Sequence, residues 1–178
     1  MAKLIDRMVR ASKLDVNLYE EVEADKDAMG QAIAVVVLSS LANGIGTIAI
    51  LGINGLVVGT ISALIGWFVW AFLVFIIGTK LLPEPQTKSD MGELLRTIGF
   101  SSSPGILRIF GFIPFAGAII SFAAGVWMLV AMIIAVRQAL DYKSTWRAIG
   151  VCVIGFIIYI VIIAAIMAAL GLPGMTTS

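Results

Sequence analysis

Charged residues interrupt the apolar pattern of the chain only in places. None occurs from Ala28 to Thr79, none from Ile109 to Val136, and none from Ala148 to Ser178. A helix needs about 20 apolar residues to cross the hydrocarbon of a bilayer. The first run is long enough for two such helices, and the second and third for one each. The pattern therefore predicts spans over about 31–51, 56–78, 115–136 and 148–170. Gly52-Ile-Asn-Gly55, with its Asn-Gly pair, reads as the turn between the first two. Pro83-Glu-Pro-Gln-Thr-Lys-Ser-Asp90 reads as a polar linker. Arg137 to Arg147 reads as a polar loop, where Ser144 or Thr145 caps the last helix and Trp146 takes an interfacial position.

The stretch Ile98 to Pro114, IGFSSSPGILRIFGFIP, fits no simple class. The distribution of basic residues decides how to read it, because Lys and Arg collect on the cytoplasmic side of membrane proteins. Lys3, Arg7, Arg10, Lys13 and Lys26 precede the first span; Lys80, Lys88 and Arg96 flank the linker; Arg137, Lys143 and Arg147 lie in the last loop. With the N-terminus in the cytoplasm, the last loop is cytoplasmic only if this stretch crosses. Eleven of the twelve basic residues then share one side, leaving Arg108. The expected fold is an all-α membrane protein: a bundle of five transmembrane helices with the third span short and kinked. The expected division is a cytoplasmic segment over 1–27, a five-span domain over 28–172 and an extracytoplasmic tail over 173–178.

The first 27 residues are charged throughout and lack the apolar core of a signal peptide, so the first span is expected to be an uncleaved anchor. Leu4, Ile5, Met8 and Val9 share a helical face, with Lys3, Arg7, Arg10 and Lys13 on others. Such an amphipathic helix can lie in the headgroup layer or pack on its own bundle. Asn17 followed by Glu20 resembles a capping box. The acidic run Glu20, Glu21, Glu23, Asp25 and Asp27 reads as a solvated face, with a carboxylate metal cluster as the lesser alternative.

Composition agrees with this outline. Hydrophobic residues make up 60% of the 178 and charged residues 13%, where a soluble domain carries about 25% charged. The net charge of +1 offers no bulk attraction to nucleic acid. The chain has no histidine, which removes Ser-His triads, histidine-ligated zinc and haem, and imidazole relays. Its single cysteine, Cys152, reads as a small apolar filler.

Polar groups inside the predicted spans are few. Pro104 removes an N–H and frees a carbonyl one turn earlier. Ser101, Ser102 and Ser103 can bond such freed groups where lipid supplies no water. A nucleophilic serine would need a base, and the sequence offers none nearby. Arg108 is the one ionisable residue inside any predicted span, a functional candidate by default. It can bond the terminal carbonyls of its own helix before Gly111, reach a lipid phosphate, or meet a carboxylate of another subunit. Ser39, Ser40, Asn43, Thr60 and Ser62 are further polar residues in the first two spans, and Asn43 can bond across helices. Gly55, Gly59 and Ala63, and likewise Gly117, Ser121 and Gly125, form small-residue ridges for packing inside the bundle or for dimerisation. Trp67, Trp70 and Trp127 lie away from the span ends, as lipid-facing or packing residues or as contacts for a pigment or quinone.

Three segments carry a family resemblance: Leu14-Asp-Val-Asn-Leu-Tyr-Glu-Glu-Val-Glu23, Gly99-Phe-Ser-Ser-Ser-Pro104, and Ala135 to Ile149, AVRQALDYKSTWRAI. In their order and spacing the chain resembles the Yip family, the Ypt/Rab-interacting membrane proteins, and in particular their short prokaryotic relatives. The resemblance implies a five-helix bundle with a cytoplasmic N-terminus. For eukaryotic members it implies roles in vesicle traffic and contact with prenylated Rab GTPases. Those members carry a longer cytosolic N-terminal region than this chain.

The expected function is that of a non-enzymatic membrane scaffold or accessory protein, acting through helix–helix contacts and its N-terminal segment. Two alternatives stand beside it. One is an auxiliary subunit of a larger respiratory or photosynthetic complex; the other is a small transporter or channel using Arg108, Asn43 and the serines. The expected partners are membrane lipids and other membrane subunits or a second copy, with no nucleic acid and no cofactor. The expected location is a prokaryotic plasma membrane.

Overall fold

The computed structural model describes residues 2–169, all of whose regular elements are helical. The tail expected over 173–178 lies outside them. Two short helices, α1 (Ala2–Ser12) and α2 (Val16–Ala24), precede α3 (Met29–Gly46) and α4 (Ile48–Ile76). A π-turn, Ile77–Leu81, ends α4. Then follow α5 (Met91–Ser101), a 3-10 segment (Ser103–Phe112), α6 (Ala116–Ala139) and α7 (Thr145–Ala169). Four helices are long and apolar enough to cross a membrane: Lys26–Gly46, Ile48–Leu81, Ala116–Ala139 and Thr145–Ala165.

Several boundaries differ from the sequence expectation. The first span ends at Gly46 rather than near residue 51, and the chain reverses between Thr47 and Gly52. Gly52 has φ 64° and ψ −174°, a region open essentially to glycine alone. Asn54 and Gly55, expected in the turn, continue the helix instead. Asp15, not Asn17, caps α2, its carboxylate accepting from the Asn17 N–H at 3.0 Å. A complete capping box occurs at the start of α5. There the Asp90 carboxylate accepts from Glu93 N–H at 2.9 Å and the Glu93 carboxylate from Asp90 N–H at 2.8 Å.

The stretch left ambiguous by its sequence is built in two pieces. The α-helix stops at Ser101, and Pro104 opens the 3-10 segment. Pro104 cannot donate to the Phe100 carbonyl, and the Ser103 hydroxyl does so at 2.7 Å. Ser101 donates likewise to Ile98 O at 2.7 Å.

These two pieces run beside α3 along its whole length. Gly99 meets Ala32, Gly105 meets the Ser39 hydroxyl, and Gly111 meets the Gly46 backbone. The steps are seven residues along α3 and six along its neighbour. Seven α-helical residues rise about 10.5 Å, and six residues that are partly or wholly 3-10 rise about 10.5–12 Å, so the two registers stay matched. Helix α6 closes the other side: Gly117 meets the Gly111 carbonyl, and Met128 approaches Gly105.

Two apolar cores result. Ala71, Val74, Ile77, Leu94, Val136, Leu140 and Val151 join α4, α5, α6 and α7. Met8, Leu18, Tyr19, Val22, Ala32, Phe100 and Ala135 fix the N-terminal helices to α3, α5 and α6. Cys152 is buried in the first core, as a small apolar filler would be.

The seam gives a direct prediction. A Cβ at Gly46 would collide with the Arg108 carbonyl, and one at Gly105 with Ser39 Oγ and, at 2.8 Å, Met128 Sδ. Gly46→Ala and Gly105→Ala should each destabilise the bundle by about 1–3 kcal/mol. Gly59, whose Cβ would meet nothing within 4 Å, is the control. Gly59→Ala should be neutral or stabilising by up to about 1 kcal/mol. Thermal unfolding in detergent reads all three.

Candidate functional site

Ser39, Ser40, Asn43, Ser101, Ser102 and Arg108 converge on a groove between α3, α4, the 3-10 segment and α6, with a volume of about 510 Å³, while Thr60 and Ser62 do not line it. Ser39, Ser40 and Asn43 enter from α3; Ser101, Ser102 and Arg108 from the α5–3-10 side; Gly125 from α6. Gly55, Gly59 and Ala63 line it from α4, with Trp67 and Trp70 farther along. Ser103 and Pro104 face the other way, into an apolar hollow shared with Ile5, Met8, Val9 and Trp127.

Arg108 differs from one expectation. It makes no hydrogen bond to terminal carbonyls of its own helix; its guanidinium instead turns toward α6, with Nη2 3.1 Å from the position of a Cβ on Gly125. Its Nε is buried without a hydrogen-bond partner. The 3-10 geometry causes this, because residues three apart eclipse. Leu107 and Phe110 share an exposed row of the 3-10 segment, and Arg108 lies one step round, facing the bundle. The salt bridges among the described residues engage Lys3, Arg7, Arg10 and Arg147.

The two small-residue ridges have different surroundings. Gly117 and Gly125 are in contact within the bundle, at Gly111 and Arg108. Gly59 and Gly66 face open groove, with nothing within 4 Å of an added Cβ. Ser121 is partly buried on α6. The Trp67 indole donates to Leu95 O at 3.1 Å, while the Trp70 indole N–H is buried without a partner.

A second polar centre lies where α1 and α2 meet the bundle, and sequence reasoning missed its core. Arg7, off the apolar face of α1, has only 1% of its side chain exposed. It bonds Glu21 at 2.7 Å, Asp25 at 2.6 Å and the Gln31 amide oxygen at 3.0 Å. Arg10 adds Glu21 at 2.5 Å and Asp15 at 2.8 Å. Part of the acidic run is therefore an ion-pair network rather than a solvated face. Among the described residues no group of acidic, cysteine or histidine side chains is placed to hold a metal.

Arg96 is also buried. It donates to Val22 O at 2.8 Å and to Glu23 O, satisfying carbonyls at the C-terminal end of α2. Gln138 bonds the Glu20 carboxylate. The Tyr142 hydroxyl lies 3.0 Å from Gly78 O and 2.8 Å from Leu82 O, and burial raises its pKa to about 12. Burial pushes the Glu23 carboxyl up to about 8, reinforced by the nearby charges of Glu93, Asp141 and Glu20 and opposed by Arg96. Hydrogen bonds from Arg10 and Arg7 hold Glu21 below its ordinary value, and one from Arg7 does the same for Asp25. No local sequence signal marks Arg7 or Arg96, since their partners lie on other helices.

The three segments that carried the family resemblance meet in this second centre. Leu18, Tyr19 and Val22 pack on Phe100 and Ala135. Comparison with protein-family models matches the Yip1 domain over residues 17–166. Comparisons with curated proteins and with solved structures return no match.

The pH response follows from these carboxyls. Glu23 binds its proton more tightly when folded, so its contribution is full below about 4.5 and is lost as pH rises through about 8. Glu21 and Asp25 act oppositely, losing their contribution as pH falls below the ordinary carboxylate range. Glu23→Gln should flatten the fall in melting temperature between pH 5 and 9, a window set by Glu23 itself. An undiminished alkaline fall in that variant would refute the assignment.

Proposed function

The chain belongs to the Yip1-domain family of membrane proteins, and from that premise we propose a non-enzymatic scaffold or accessory protein of a prokaryotic plasma membrane. It crosses five times with its N-terminus in the cytoplasm, and it meets protein partners through the platform formed by α1 and α2. The observation that carries this reading is the fixed docking of that platform. Arg7 and the Leu18–Tyr19–Val22 face clamp it to the end of the bundle from which α3 starts. It leaves Ile5, Val9 and Val16 exposed. A segment held so firmly is a preformed contact surface, which lowers the ordering cost of association.

The five-span reading draws support from the pairing of residues 91–112 with α3. Gly99 lies beside Ala32 near the start of α3, and Gly111 beside Gly46 at its end. Eleven of the twelve basic residues then belong to the same face as the N-terminus, in accord with the preference of Lys and Arg for the cytoplasm. The proposed division remains 1–27, 28–172 and 173–178.

Single cysteines at Ser12 and Ser144, in a Cys152→Ser background, should label from the same side of sealed vesicles. Labelling from opposite sides would reduce the crossings to four. For the scaffold itself, native electrophoresis after mild detergent extraction should show a species larger than the 18.9 kDa chain. Arg7→Leu, which releases the platform, should shift it toward the monomer. A monomer alone from the unaltered protein would contradict the scaffold.

A further inference from the structure

The groove holds a cation without an anion. Arg108 borders one end, near Asn43, with its Nε buried and unpartnered, and no Asp or Glu lines any wall. Toward the other end Trp67, Trp70, Ile98 and Met132 line it, with Ser101 and Ser102 between them and the arginine. We propose that this groove binds one anionic phospholipid, its phosphate at Arg108 and one acyl chain along the two tryptophans.

The length fits an acyl chain. From Ile98 to Arg108 the α-helical and 3-10 residues rise about 18 Å, close to the roughly 15 Å of one hydrocarbon leaflet. Gly59 helps keep this trough clear, because an added Cβ there would meet nothing within 4 Å. The charge favours an anionic headgroup. Arg108 can pair with a phosphate, whereas the ammonium of a zwitterionic lipid would find no carboxylate in the lining. Asn43 adds a polar group at the arginine's end of the groove.

The test is native mass spectrometry of the full chain released from micelles holding equimolar phosphatidylglycerol and phosphatidylcholine. One retained phosphatidylglycerol per chain is expected. Arg108→Gln, which removes the charge, should lower that retention about fivefold and bring the two lipids toward equality. Gly59→Leu, which fills the trough without touching Arg108, should lower retention of both, and melting curves check that each variant is folded. Equal retention of the two lipids by the unaltered protein would overturn the proposal. So would wild-type retention in Gly59→Leu, which places the lipid elsewhere, or in Arg108→Gln. A bound mass that is a protein or a neutral hydrophobe overturns it too.

Discussion

The close approach of α3 to the segment from Met91 to Phe112 is the contact on which the rest depends. Glycine at 46, 99, 105 and 111 lets one backbone lie against another, with little room even for a methyl group. In a membrane such packing matters more than apolar character, since lipid tails are as apolar as leucine and offer no hydrophobic drive to bring helices together. With that seam fixed, α6 closes on the same segment through Gly117, and α4, which packs on α5 through Ala71, Val74 and Leu94, stands off from its 3-10 part. The groove is the space this leaves.

A 3-10 segment inside an apolar bundle needs its own justification, because its hydrogen bonds are poorer than those of an α-helix. Pro104 makes the α-helical ladder impossible at that point, and Ser103 satisfies the carbonyl it abandons. The same change of period turns Arg108 inward while Leu107 and Phe110 face outward. One proline thus links the irregular backbone to the placement of the single arginine in the groove. At the other end of α3 the polar balance differs. Arg7, Arg10 and Arg96 are matched to carboxylates or carbonyls, and the N-terminal helices become part of the bundle rather than a tail.

Much of this was legible in the sequence, because length without charge is a strong signal for helices that cross lipid. The family was legible too, through segments that turn out to share one core. Other features were not. The turn after the first span was read from Asn54-Gly55, yet the backbone breaks at Gly52, where the conformation admits only glycine. The N-cap was assigned to Asn17, while Asp15 sits two residues earlier with better reach. The acidic run looked solvated because helical periodicity describes one helix at a time, and the arginines that pair with it come from another. Ser39, Ser40, Asn43, Ser101, Ser102 and Arg108 were each picked out, but their meeting required the six-against-seven register of the seam, which no local pattern reveals.

The central claim is that residues 91–112 cross the membrane beside α3, changing period at Ser103. Spin labels placed singly along this segment, in sealed vesicles of uniform orientation, would measure it through collision with oxygen and with an impermeant nickel complex added on the outside only. The account predicts nickel collisions near one end of 91–112 and none near the other, with oxygen maxima three residues apart at 107 and 110. Nickel collisions at both ends or at neither, or a 3.6-residue period maintained past 103, would contradict it.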